Sequence, residues 1–158
     1  MKTILILMNS KVICFYSVMC GDFNQIKNFF ESYVDDILEL KDVYNRTPLH
    51  YAILCFSPLD TIKFLIEFYK SKNIEIINHK DNFNNPPLYY SVLNNSYETT
   101  KILLQTGADP NYGENLLTIA ILKNNEKIFN LLILYGADPK VKVHTKTIID
   151  IVEFLEKI

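Results

Sequence analysis

The chain of 158 residues has no tryptophan, four glycines, three cysteines and a single arginine, Arg46, beside fifteen lysines. Each scarcity excludes something. So few glycines leave no glycine-rich phosphate loop. Cys14, Cys20 and Cys55 are odd in number and lack CxxC spacing. They read as reduced thiols acting as small core hydrophobes, which favours the cytosol or nucleus over an oxidising compartment. A formal net charge of −2 offers no electrostatic attraction to nucleic acid or to an anionic membrane. Long apolar runs are missing too. Ile4-Leu5-Ile6-Leu7-Met8 ends after five residues at Asn9-Ser10-Lys11, short of the roughly 7–15 of a secretory core and the ~18 of a membrane span. Residues 1–10 therefore read as an unstructured or start-site extension, with Met8 as an alternative start.

What is present is a globular composition, 49% apolar, long enough for one domain with a real core. Two segments stand out. Asn45-Arg46-Thr47-Pro48-Leu49-His50-Tyr51-Ala52 reads as a β-turn entering a capped helix. Thr47 suits the N-cap, and Pro48 sits where its missing N–H costs nothing. Gly107-Ala108-Asp109-Pro110-Asn111 reads as a helix stop, with Gly107 free to adopt the left-handed conformation. The stop recurs at Gly136-Ala137-Asp138-Pro139. Repeated start and stop signals mean a repeated supersecondary unit.

These residues resemble the ankyrin repeat, a β-turn plus helix pair of about 33 residues with the signature T-P-L-H-x-A. The resemblance predicts an all-α solenoid with short β-turn fingers, occupying residues 11–158. Its units are an N-terminal cap at 11–41, repeats at 42–80, 81–111 and 112–140, and a C-terminal half-repeat at 141–158. Thr47-Pro48-Leu49-His50 is intact in the first repeat. Pro86-Pro87-Leu88-Tyr89 and Asn115-Leu116-Leu117-Thr118 replace it in the next two. In the family this histidine bonds locally to the threonine and to the adjacent unit, so His50 is assigned a structural role, with Thr47, Pro48, Leu49, Gly107, Asp109, Gly136 and Asp138.

Helical phase agrees. Leu49, Ala52 and Ile53 share one face, as do Ile62, Leu65 and Ile66, while Ser17, Ala52, Ser91 and Ala120 hold one small position. Ser57-Pro58 and Ser96 are expected to cap the second helices, with Asp60 completing a capping box. Leu49 to Leu88 spans 39 residues and Leu88 to Leu117 spans 29. An insertion is thus expected between Glu67 and His79, either lengthening a helix or bulging as a loop. A trimmed finger is expected between Asn111 and Asn115.

No constellation suggests an enzyme. His50, His79 and His144 are far apart, and no ligand spacing supports a metal. A triad drawn from Cys55, His50 and Asp60 is outweighed by the plain helical role of Cys55. The basic run Lys140 to Lys146 lacks interleaved aromatics and reads as an exposed finger. No cofactor is expected.

Such solenoids bind along an extended surface. Two residues beyond the small position lie Met19, Leu54, Leu93 and Leu122, out of phase with the inward set and so expected in the concave groove. Tyr44 and Phe83 at the finger tips, with Arg46, Asn85 and Lys123, complete the candidate partner-binding set. The partner is expected to be a protein and the chain a monomer, with no role for nucleic acid or membrane. The abundance of Lys, Ile and Asn suggests an A/T-rich genome, and the chain is similar to small ankyrin proteins of poxviruses or giant viruses. That likeness implies a host partner and a decoy or modulator of host signalling, resembling the inhibitor of NF-κB. The alternative is a structural or adaptor fragment of a larger assembly, such as one recruiting a ubiquitin ligase.

Overall fold

The computed structural model describes residues 14–19, 21–32, 40–111 and 116–139. The extension at 1–10, the half-repeat at 141–158, Cys20, His144 and the trimmed finger at 112–115 lie outside them. Residues 14–19 are helical. Among the described residues seven further helices follow: α1 (Phe23–Ser32), α2 (Pro48–Leu54), α3 (Leu59–Ser71), α4 (Pro87–Leu93), α5 (Tyr97–Gln105), α6 (Leu116–Leu122) and α7 (Glu126–Leu134). No strand occurs among the described residues.

The helices form two layers. α2 packs on α4 and α4 on α6, while α1, α3, α5 and α7 stack in order behind them. Each short inner helix also packs against the helix that follows it. The core runs continuously through the stack, from Val18 and Phe30 through Leu49, Leu65 and Leu88 to Leu103, Ile128 and Leu132. Every unit buries its apolar face on its neighbours, and none encloses a core alone.

Why the inner helices stop after two turns is written in their ends. Phe56, Asn95 and Asn124 each take positive φ, at 56°, 58° and 49°. Each N–H bonds two carbonyls short of the cap, and the next N–H reaches the small residue: Ser57 to Ala52 at 2.8 Å, Ser96 to Ser91 at 3.0 Å, Asn125 to Ala120 at 2.9 Å. This is the Schellman stop. Gly107 and Gly136 end α5 and α7 in the same way, with Ala108 N–H to Leu103 and Ala137 N–H to Leu132, both at 2.9 Å.

The insertion is resolved as helix. α3 has 13 residues against nine in α5 and α7, one extra turn, ended by Asn73 at φ 56°. Two expected caps are corrected. The Ser57 hydroxyl donates across units to the Val18 carbonyl at 2.6 Å, and Pro58 occupies the N-cap of α3. Ser96 does occupy the N-cap of α5, but its hydroxyl bonds the Thr99 hydroxyl rather than backbone. No capping box forms with Asp60. Side chains cap α1 and α7 in the usual manner: Asp22 accepts from Gln25 N–H at 3.1 Å and Asn125 from Ile128 N–H at 2.9 Å.

Candidate functional site

The first two fingers, residues 42–46 and 81–85, are built by one device. Asp42 Oδ1 accepts the N–H groups of Tyr44 and Arg46, at 2.8 and 2.7 Å, and Asp42 Oδ2 accepts the Tyr51 hydroxyl at 3.0 Å. Asp81 repeats this with the N–H groups of Phe83 and Asn85, at 2.9 and 3.0 Å, and with the Tyr90 hydroxyl. Asn45 and Asn84 take the positive φ that each turn demands. An aspartate thus folds its own finger and ties it to the inner helix nine residues on. Sequence reasoning missed this device, although its signal was visible: an aspartate two residues before an aromatic and nine before a tyrosine, twice.

The two fingers are joined edge to edge. Asn82 N–H donates to the Tyr44 carbonyl at 2.9 Å, and the Asn45 side chain donates to the Lys80 carbonyl at 2.8 Å. Their aromatic tips stack, with the Tyr44 and Phe83 ring centroids 6.0 Å apart and planes 30° apart. The Arg46 guanidinium lies 5.0 Å from the Tyr44 ring and 5.9 Å from Phe83, with Nε 3.6 Å from Asp81 Oδ2. Burial alone would raise the Asp81 carboxyl, but the hydrogen bonds from Tyr90, Asn85 and Phe83 outweigh it and hold the group below the usual carboxylate range. Burial would also lower the Arg46 pKa, an effect overcome by Tyr90 and the two aspartates. The result is an aromatic tip over a compensated charge.

His50 sits behind the tip and is fully buried. Thr47 N–H can only donate, so Nδ1 accepts it at 3.2 Å. Nε2 therefore carries the proton and donates to the Asn85 carbonyl of the next unit at 3.2 Å. Thr47 and His50 close a capping box on α2, with Pro48 at the first helical position. Both ring nitrogens are spent on structure. In the next unit Pro86 holds the same extended backbone, φ −80° and ψ 168°, without a capping hydroxyl.

The column residues fall as follows. Leu122 is 69% exposed, Met19 50% and Leu93 36%, while Leu54 is half-buried against the core. Tyr44 and Phe83 are 48% and 60% exposed, and Lys123 is on the surface. Asn85 is corrected: it is buried, with its backbone bonded to Asp81 and His50, and presents nothing to a partner. Asp109 and Asp138 are joined to the preceding loops by asparagines. The Asn78 side chain donates to Gly107 carbonyl and accepts Asp109 N–H, at 3.1 and 2.9 Å. Asn111 does the same with Gly136 and Asp138, at 3.0 and 2.8 Å.

Among the described residues no His, Cys, Asp and Glu cluster could hold a metal, and no helix is long and apolar enough to cross a membrane. Stacked helix pairs with projecting turns define the class as a helical repeat solenoid. A family model for ankyrin repeats in three copies matches residues 71–143, and one for a single ankyrin repeat matches residues 44–82. Together they span residues 44–143, and the chain belongs to the ankyrin-repeat family. No curated protein matches the chain. Ankyrin repeats are generally protein–protein interaction modules, typically without enzymatic activity.

Proposed function

We propose that this protein is a non-enzymatic binding module that grips a protein partner between its finger tips and the exposed faces of its inner helices. The observation that carries this reading is the tip itself. Tyr44 and Phe83, from successive fingers, stack on each other and remain about half in water. Asp42 and Asp81 fix the backbone of each tip, which lowers the entropy lost on binding, and exposed aromatic and apolar clusters of this kind mark contact sites. Met19, Leu93 and Leu122, with the half-buried Leu54, extend the apolar surface along the stack, and Arg46 and Lys123 supply charge near it. The reading includes a monomer acting in the cytosol or nucleus.

The test compares Leu93→Asp, Leu122→Asp and the pair Tyr44→Ala with Phe83→Ala against Leu49→Asp, which strikes the core. Melting and affinity purification from cells with mass spectrometry are read together. Normal melting with loss of the captured partner supports the site. Surface variants that unfold as badly as Leu49→Asp, or that keep every partner, overturn it. The narrower reading, a viral decoy of the NF-κB-inhibitor type, rests on resemblance alone. Capture of Rel-family proteins would support it, whereas capture of cullin-associated proteins would favour the adaptor.

A further inference from the structure

The charges of the described residues are divided between two faces. The fingers, the inner helices and the turns that end them (residues 14–19, 40–56, 80–95 and 116–124) carry the basic Lys41, Arg46, Lys80 and Lys123 and the acidic Asp42 and Asp81. Both carboxylates are spent inside the fingers. Each accepts three hydrogen bonds, and Asp81 also meets Arg46 at 3.6 Å. Lys41 and Lys123 are exposed and make no ion pair among the described residues. The outer helices and their loops (residues 21–32, 57–79, 96–111 and 125–139) carry nine carboxylates against six lysines. A chain whose formal net charge is −2 therefore presents a basic front and an acidic back among its described residues.

The cations stand toward both ends of the inner helices. Lys41 and Lys80 each precede a finger aspartate, before α2 and α4 begin. Lys123 follows α6 directly, one residue after the exposed Leu122. Each inner helix has seven residues and so spans about 10 Å. A bound segment running along the stack therefore meets the apolar Leu93 and Leu122 with an ammonium group within side-chain reach of its edges.

We propose that the segment bound on this front is acidic and apolar by turns: Leu- or Phe-type side chains seat against Tyr44, Phe83, Leu93 and Leu122, while interspersed Asp or Glu side chains meet Lys41 and Lys123. This deepens the proposed function and rests on the front being the binding face. A neutral segment would strip water from the ammonium groups and return nothing, whereas a carboxylate replaces the lost hydration and adds attraction. The acidic back repels such a segment and so turns it toward the front during encounter. Nucleic acid fits this face less well. Its closely spaced phosphates call for a denser row of cations, and the aliphatic Leu93 and Leu122 are not the aromatic platforms on which bases stack.

The experiment selects a random library of displayed peptides, each about 16 residues long, on the full chain. Enriched peptides are then titrated from about 0.05 to 0.5 M salt. Expected are peptides rich in Asp and Glu interleaved with Leu or Phe, displaced from the protein by Leu93→Asp and Leu122→Asp. Lys123→Glu should weaken them about fivefold at low salt and much less at high salt, with melting unchanged. Selection on a variant carrying Lys41→Glu and Lys123→Glu should return peptides rich in Lys and Arg instead, a reversal that a merely structural lysine would not produce. Neutral or basic peptides that still depend on Leu93 and Leu122 overturn the acidic chemistry and leave the binding face standing. Acidic peptides indifferent to Leu93→Asp and Leu122→Asp overturn the face as well. Enrichment of no peptide overturns the proposal. So does a labelled single-stranded DNA that binds more tightly than every peptide and is lost with Lys123→Glu.

Discussion

The Thr100 hydroxyl donates to the Ser91 hydroxyl at 3.0 Å, fastening α5 to α4. One unit earlier the equivalent residues are Thr61 and Ala52. Both are fully buried, and the Thr61 hydroxyl has no partner. An unpaired buried hydroxyl is costly, and the later unit shows that the missing oxygen fits. Ala52→Ser should therefore stabilise the protein by about 1 kcal/mol, read as a higher urea midpoint at constant slope. A lower midpoint would mean that the first unit packs too tightly for one more atom.

The finger device predicts an order of losses. Asp81 is buried and accepts three hydrogen bonds, whereas Asp42 accepts three while half-buried. Asp81→Asn should cost about 2–3 kcal/mol, because charge-assisted bonds to a buried carboxylate weaken together. Asp42→Asn should cost less, since water replaces part of what is lost. Tyr90→Phe should cost about 1 kcal/mol as one hydrogen bond. Chemical unfolding ranks the three variants. An Asp42 effect as large as that of Asp81 would contradict the role given to burial.

Much of this was legible because start and stop signals act locally. Thr47-Pro48 and Gly107 or Gly136 do what their own φ, ψ and hydrogen-bonding groups favour. The second-helix caps were misread for the opposite reason. Ser57 has the right chemistry for a cap, but the Val18 carbonyl of the preceding unit competes for its hydroxyl, and that contact spans 39 residues. Asn85 failed likewise: a polar residue near a fingertip looks exposed until the neighbouring His50 is in place. The αL stop at Phe56 carries no local signal, since phenylalanine is a poor choice there.

Gly21 and Gly107 should respond differently to alanine. Both have positive φ, 68° and 101°. A Cβ at Gly107 meets nothing within 4 Å, so Gly107→Ala bears backbone strain alone, about 1 kcal/mol. A Cβ at Gly21 would stand 2.9 Å from the Pro58 ring of the next unit. Gly21→Ala should therefore cost clearly more, and adding Pro58→Ala should recover part of the difference. Equal costs for the two glycines in thermal melts would show that Pro58 gives way freely.

Phe56 breaks the pattern of its own position. Gly21, Asn95 and Asn124 occupy the equivalent stops in the other units, each suited to positive φ. Phe56 takes the same conformation at φ 56° with its side chain 71% exposed, so strain is endured with little burial in return. Phe56→Asn should relieve about 0.5–1 kcal/mol of that strain and raise the unfolding midpoint. Because so much of the ring is already in water, lost packing should not cancel the gain. A fall in stability on this substitution would show that the remaining contacts of the ring outweigh the backbone strain. The contrast with Ala52→Ser is useful, since the two residues sit at opposite ends of one Schellman stop. A variant carrying both should gain close to the sum of the single effects if the backbone of that stop is undisturbed.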